Sequence, residues 1–195
     1  MGYEARPVAV DPIRRGVWAT LRVEVVRSED GAVVGSYERN YPSLLRTFFP
    51  FARGGREFAL YSTDYTATRV MELPSCVDLG GEERSPGGFC PVEYFVPTDA
   101  DSGDALDVGF VAGCIWGDDS SWKLQALNLS RVEEGCLARD ERFGYVELPD
   151  KASLSDVLVV RRHDSSADFG GYWVEVEASL KFQLDTGEQL RSYDV

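Results

Sequence analysis

Near the end of the chain, Tyr172, Val174, Val176, Ala178, Leu180, Phe182 and Leu184 alternate with Trp173, Glu175, Glu177, Ser179, Lys181 and Gln183. A β-strand sends successive side chains to opposite faces, whereas a helix would scatter these apolar residues around its axis. The run therefore predicts one long half-buried strand, ended by the turn residues Asp185, Thr186 and Gly187. The same period appears at Val17, Ala19, Leu21, Val23 and Val25. Asp30-Gly31 and the stretch Val33 to Glu38 follow, which predicts a hairpin.

Two further hairpins are expected in the centre. One joins Phe58–Ser62 to Tyr65–Leu73 around Thr63 and Asp64; the other joins Gly109–Ile115 to Ser121–Leu129 around Gly117, Asp118 and Asp119. Only two short segments suggest helix. Tyr41–Phe49 has Pro42 placed for a first turn, and Ser153–Leu158 has Ser153 as a cap with Asp156 three positions on. Residues 75–90 and 97–108 are rich in Gly, Pro, Ser and Asp and are expected to be loops that frame any site.

The fold class predicted is all-β, or β-dominated α+β, with about nine to eleven antiparallel strands in a sandwich or barrel. One domain of 195 residues is expected, with 1–16 and 188–195 as loose ends. The segment from Ser62 to Leu73, with its partner hairpin at 109–129, resembles the middle hairpin of a WD-type β-propeller blade. Each has a small, apolar first strand, an acidic turn and a second strand closing on Glu72-Leu73 or Asn128-Leu129. The segment has Met71 where the blade tryptophan would stand, and it lacks the Gly-His pair. The resemblance implies a small or incomplete propeller-like arrangement as the alternative fold.

No apolar run reaches the roughly 18 residues of a spanning helix, and the first residues lack the apolar core of a secretory signal, so a cytoplasmic location is expected. Cys76, Cys90, Cys114 and Cys136 form no CxxC pair and share the chain with one histidine, so reduced, unconnected thiols and no cofactor are expected. Asn128-Leu129-Ser130 matches a glycosylation acceptor and is read as coincidental.

The net charge of −13 is unevenly distributed. Residues 1–71 carry ten bases and eight acids, and residues 121–195 nine bases and fourteen acids. Residues 72–120 carry eleven acids against Arg84 alone, so ten of the thirteen surplus charges lie there. Such a field repels phosphate backbones and attracts basic proteins and cations.

Within it, Asp99, Asp101, Asp104 and Asp107 alternate somewhat like the oxygens of a calcium loop. The EF-hand pattern fails, because Gly103 stands where a ligand belongs and Phe110 where a bidentate Glu is needed. Trp116, Asp118 and Asp119, followed by Trp122, place aromatic rings around an acidic turn; with Trp173, Asp99 and Asp101 they are the expected binding residues. A catalytic alternative pairs Cys90, set among Gly87, Gly88 and Pro91, with His163 and Asp164 as base and orienting carboxylate. Paired central carboxylates such as Asp118 and Asp119 are the other hydrolase option.

Phosphate-loop, dinucleotide, zinc-protease and serine-hydrolase signatures are absent. The leading expectation is a non-enzymatic, acidic interaction module, of inhibitor or immunity type, that binds a basic protein partner without nucleic-acid or membrane contact. A hydrolase and a calcium- or carbohydrate-binding module are the alternatives.

Overall fold

The computed structural model describes residues 2–10, 21–39, 47–64, 67–82, 89–99, 101–115, 118–140, 146–148, 158–163, 171–176, 180–183 and 189–192. These residues are almost entirely β, in four antiparallel sheets with no closed barrel among them. The first sheet holds β1 (Tyr3–Val10), β2 (Leu21–Arg27) and β3 (Val33–Arg39), in that order. The second runs β4 (Phe48–Arg53), β5 (Arg56–Tyr61), β6 (Thr68–Leu73), β7 (Val77–Glu82). In the third, β8 (Phe89–Phe95), β9 (Val108–Ile115), β10 (Asp118–Asn128) and β11 (Ala138–Arg139) are joined by β12 (Val146–Leu148), which also pairs with β10. The fourth is β13 (Leu158–His163), β14 (Gly171–Val176), β15 (Leu180–Gln183) and β16 (Gln189–Ser192). Strands that are consecutive in the chain are neighbours throughout the second and fourth sheets, so each is a meander.

All three predicted hairpins form, β2 with β3, β5 with β6, and β9 with β10, but Asp118 and Asp119, expected in the turn of the third, already belong to β10, and Val17, Ala19, Tyr65 and Thr66 of the predicted strands lie outside the described residues. The first closes as its residues dictate, with Gly31 at φ 70° and the Asp30 carboxylate accepting the Ala32 N–H at 3.0 Å. Pro7, Pro50 and Pro91 all sit in strands, and each of those strands (β1, β4, β8) is the outermost in its sheet's hydrogen-bonding order. A proline has no N–H to give a second neighbour, so an edge strand is where it fits.

Several expectations require correction. Sixteen strands are described, not nine to eleven. The stretch 75–90 is not one loop, because β7 pairs with β6 through Val77 and Asp78, and Phe89 and Cys90 already belong to β8. Phe48 and Phe49, placed at the end of a helix, open β4; residues 41–46 and 153–157 of the two helix candidates lie outside the described residues. The only helical piece described is a 3-10 turn at Val132–Glu134. The stretch 1–16 contains β1, paired to β2 along its length, and 188–195 contains β16.

The thirteen-residue alternation is two strands, β14 and β15, folded against each other with Val176 opposite Leu180 and Val174 opposite Phe182. Even-numbered positions meet even-numbered positions across that reversal, so a period of two passes through the turn unbroken.

Hydrophobic burial stacks the first three sheets. Tyr3, Val25, Ala59, Tyr61, Met71 and Leu73 form a core between the first and second sheets. Phe51, Phe58, Leu60, Val70, Tyr94, Val111, Leu127 and Leu129 form another between the second and third. Alternate residues of β5 therefore enter different cores: Phe58 and Leu60 one, Ala59 and Tyr61 the other. This is why Phe58-Ala59-Leu60-Tyr61 reads as an unbroken apolar run.

Candidate functional site

The best-defined polar feature is the loop from Pro97 to Asp107, between β8 and β9. Its backbone is closed by the isolated bridge Thr98↔Ala105. The Asp99 N–H donates to the Asp104 carbonyl at 2.7 Å, and the Gly103 N–H donates to the Asp99 carbonyl at 2.8 Å. The Asp99 carboxylate accepts from the N–H groups of Asp101 at 2.9 Å and Ser102 at 2.8 Å, and from the Ser102 hydroxyl at 3.1 Å. An Asp that collects its own downstream amides makes an Asx-turn, so Asp99 is a structural residue of the loop.

The loop is fastened to two other elements. The Ala105 N–H donates to the Ala52 carbonyl at 2.7 Å, the Gly54 N–H donates to Asp104 Oδ2 at 3.3 Å, and the Leu129 N–H donates to the Asp107 carbonyl at 2.7 Å. Arg53, at the end of β4 before the Gly54-Gly55 turn, is the hub. Its guanidinium donates to the Ala105 carbonyl at 3.1 Å, pairs with the Asp107 carboxylate, and lies 3.8 Å from Glu133 Oε1. Arg53 carries no signal of its own in the sequence; the Gly-Gly pair that follows it, between apolar runs, is the hairpin signal that would place it.

Carboxylates of the loop are thus bound to protein donors: Asp99 and Asp104 to amides, Asp107 to Arg53. Asp101 is exposed at the tip. Among the described residues, no three His, Cys, Asp or Glu side chains converge as a metal centre would require.

The aromatic turn is placed only in part. Trp116 and Asp164 lie outside the described residues. Asp118 and Asp119 begin β10, with Asp118 in register with Ile115, at the end of β9 away from the 97–107 loop. Trp173 is in β14 opposite Gln183, in the fourth sheet. The proposed catalytic residues fall in different sheets: Cys90 in β8 of the third and His163 at the end of β13 in the fourth. Cys90 belongs to a paired strand, not to the tight turn expected from its neighbours, and stands opposite Cys114 in β9.

An open concavity of about 430 Å³ lies where the second and third sheets meet; Gly81, Asn128, Arg131, Cys136 and Leu137 are among its lining residues. Arg131 is held there by Glu134 at 2.5 Å, so the cation at its rim is already paired. Hydrogen bonding to Arg131 lowers the Glu134 carboxyl below its ordinary range. Asn128 Oδ1 accepts from the Ser130 N–H at 2.9 Å and hydroxyl at 2.7 Å, a local turn that accounts for both residues.

The most shifted titrations belong to the cores. Tyr37 is pushed up to about 12 by burial, and burial raises Tyr61 and Tyr94 further. Arg39 is buried, donates to the Thr47 hydroxyl and is lowered by that burial, opposed by Tyr37, Tyr94 and Asp64. These groups tie sheets together, as when the Tyr94 and Thr68 hydroxyls bond at 3.0 Å between β8 and β6.

Among the described residues, no helix is long and apolar enough to cross a membrane. No protein-family model matches this sequence, and no significant match is found among curated proteins or solved structures.

Proposed function

We propose that this protein is a non-enzymatic, acidic interaction module of inhibitor or immunity type, which binds a basic protein partner in the cytoplasm through the 97–107 loop, at the Val108 end of β9, together with Asp118 and Asp119, beside its Ile115 end. The supporting observation is that the loop is already ordered. Its Asx-turn, its bridge and its fastening to Ala52, Arg53 and Leu129 hold an exposed acidic tip in place before any partner arrives. Binding to a pre-ordered loop avoids the entropy cost of fixing it, and a local field of one sign speeds the encounter. Eleven acids against one base in residues 72–120 supply that field. As part of the same proposal, the sheets are read as blades of a small propeller-like array. The consecutive strand order of the second and fourth sheets and the stacking of the first three support this.

The test is binding of an arginine-rich peptide, followed by calorimetry at low and physiological salt. The triple variant Asp101→Asn, Asp118→Asn, Asp119→Asn is compared with Glu4→Gln, Glu29→Gln, Glu38→Gln, which removes equal charge from exposed positions in the first sheet and its hairpin turn. Asp99 is left intact because the loop depends on it. The proposal expects about tenfold or greater loss of affinity in the first variant and little in the second. Equal losses would mean that the peptide senses only net charge, and the proposed surface would be abandoned.

A further inference from the structure

Cys90 and Cys114 are 24 residues apart in sequence, yet they are direct partners in the antiparallel register of β8 and β9, between the pairs Phe89↔Ile115 and Pro91↔Gly113. Opposed residues in an antiparallel pair have Cα atoms about 4.5 or about 5.5 Å apart, according to whether the pair exchanges hydrogen bonds. Disulfides bridge Cα separations of about 4.4–6.8 Å, so either pair type brings the two cysteines within bonding range without moving the backbone. The other two cysteines are placed differently. Cys76 is in the turn between β6 and β7, where burial pushes its thiol up, and Cys136 is exposed after the 3-10 turn.

We propose that Cys90 and Cys114 form a reversible cross-strand disulfide, made by exchange with a low-molecular-weight disulfide. One cysteine thiolate attacks a sulfur of the small disulfide, forming a mixed disulfide and expelling one small thiolate. The second cysteine thiolate attacks the protein sulfur of that mixed bond, closing the cross-strand S–S bond and expelling the other small thiolate. The two protons lost by the protein thiols end on the two small thiols, and the two electrons lost by the protein sulfurs reduce the small disulfide.

The bond would pin an edge strand beside the register shift that follows Pro91. It would also close a ring containing the whole 97–107 loop, removing freedom from the unfolded chain. In a reducing compartment the pair rests as a dithiol and oxidises transiently. This inference does not depend on the interaction reading.

The full-length chain, folded and reduced, is incubated with oxidised glutathione. Remaining thiols are blocked with a maleimide, the protein is denatured without reductant, and the chain is cleaved after Glu93, which separates the two cysteines. The expected product is a Cys90 peptide joined to a Cys114 peptide, released by reductant, with Cys76 and Cys136 absent from any internal link. The oxidised protein should also melt about 5–10 °C above the reduced one. That difference should vanish in Cys114→Ser. Maleimide or single glutathione adducts on Cys90 and Cys114 in the folded protein would overturn the proposal, as would a joined pair obtained only after denaturation.

Discussion

Tyr37, Tyr61 and Tyr94 couple the stability of this protein to alkaline pH. Tyr37 stacks on Phe48 with ring centroids 6.5 Å apart and meets Tyr61 edge-on at 4.9 Å, so its hydroxyl titrates inside a packed aromatic cluster. Burial disfavours the phenolate and lifts its pKa to about 12, above the unfolded value near 10. With the folded value raised, the contribution is whole below pH 10, where both states are protonated. It drains away as pH climbs toward 12, because the unfolded chain ionises first. Tyr37 alone accounts for about 2–3 kcal/mol over that window, and Tyr61 and Tyr94 act in the same direction. Urea-unfolding midpoints are expected to be flat from pH 7 to 9 and to fall between 10 and 12, less steeply in Tyr37→Phe. An unchanged slope in that variant would show that the ring does not carry the shift. None of this was legible in sequence, where Tyr37 is one unremarkable position of a hairpin strand. Asp99 was legible as an acid in a turn, but its role as acceptor for Asp101 and Ser102 depends on backbone geometry that composition does not contain.

At the level of elements, the three hairpins could be read because each is local: alternation or an apolar run, turn residues, then a second run. Elements were lost where local signals were ambiguous. Phe48-Phe49-Pro50-Phe51 has no alternation, because Phe51 enters a core while Pro50 holds an edge strand against β5. Beta7, written Val-Asp-Leu-Gly-Gly-Glu, reads as loop for its glycines, yet it pairs with β6 from Val77 to Glu82 and lies against Gly135. Gly135 ends the 3-10 turn at φ 74°, donating its N–H to the Val132 carbonyl at 3.0 Å, and a Cβ there would collide with the carbonyl oxygen of Leu79 in β7. Gly31, at φ 70° in the β2–β3 turn, faces open space. Alanine at either position suffers the left-handed strain of about 1 kcal/mol, but only Gly135→Ala adds a backbone collision. Chemical denaturation is expected to find Gly31→Ala about 1 kcal/mol less stable than the parent and Gly135→Ala about 2–4 kcal/mol less stable. Equal costs would mean that the turn moves away from β7 freely.

Across the whole molecule, the lopsided charge of the sequence is partly matched in space. Arg53, Arg56 and Arg69, all from the first 71 residues, pair with Asp107, Glu72 and Asp78 of the acidic middle. Sequence counting revealed the imbalance but not this matching, because the pairs join β4 to the 97–107 loop, β5 to β6, and β6 to β7. The stacking of sheets was likewise hidden: alternation says that a strand has two faces, not which sheet covers each. Two electrostatic effects now compete. Exposed pairs stabilise by about 0–1 kcal/mol each and weaken as salt is added. The surplus of thirteen negative charges opposes compaction over longer distances, and salt relieves it as the Debye length falls from about 30 Å at 0.01 M to about 8 Å at 0.15 M. Few short pairs oppose a field reaching across the whole surface, so relief should win. The melting temperature is expected to rise by a few degrees between about 10 and 150 mM sodium chloride, and then to level off once the screening length is shorter than the spacing of most surface charges. A fall over the same range would show that the arginine pairs of Asp107, Glu72 and Asp78 outweigh the repulsion. The acidic face would then be an internally neutralised surface with little field left to offer a basic partner.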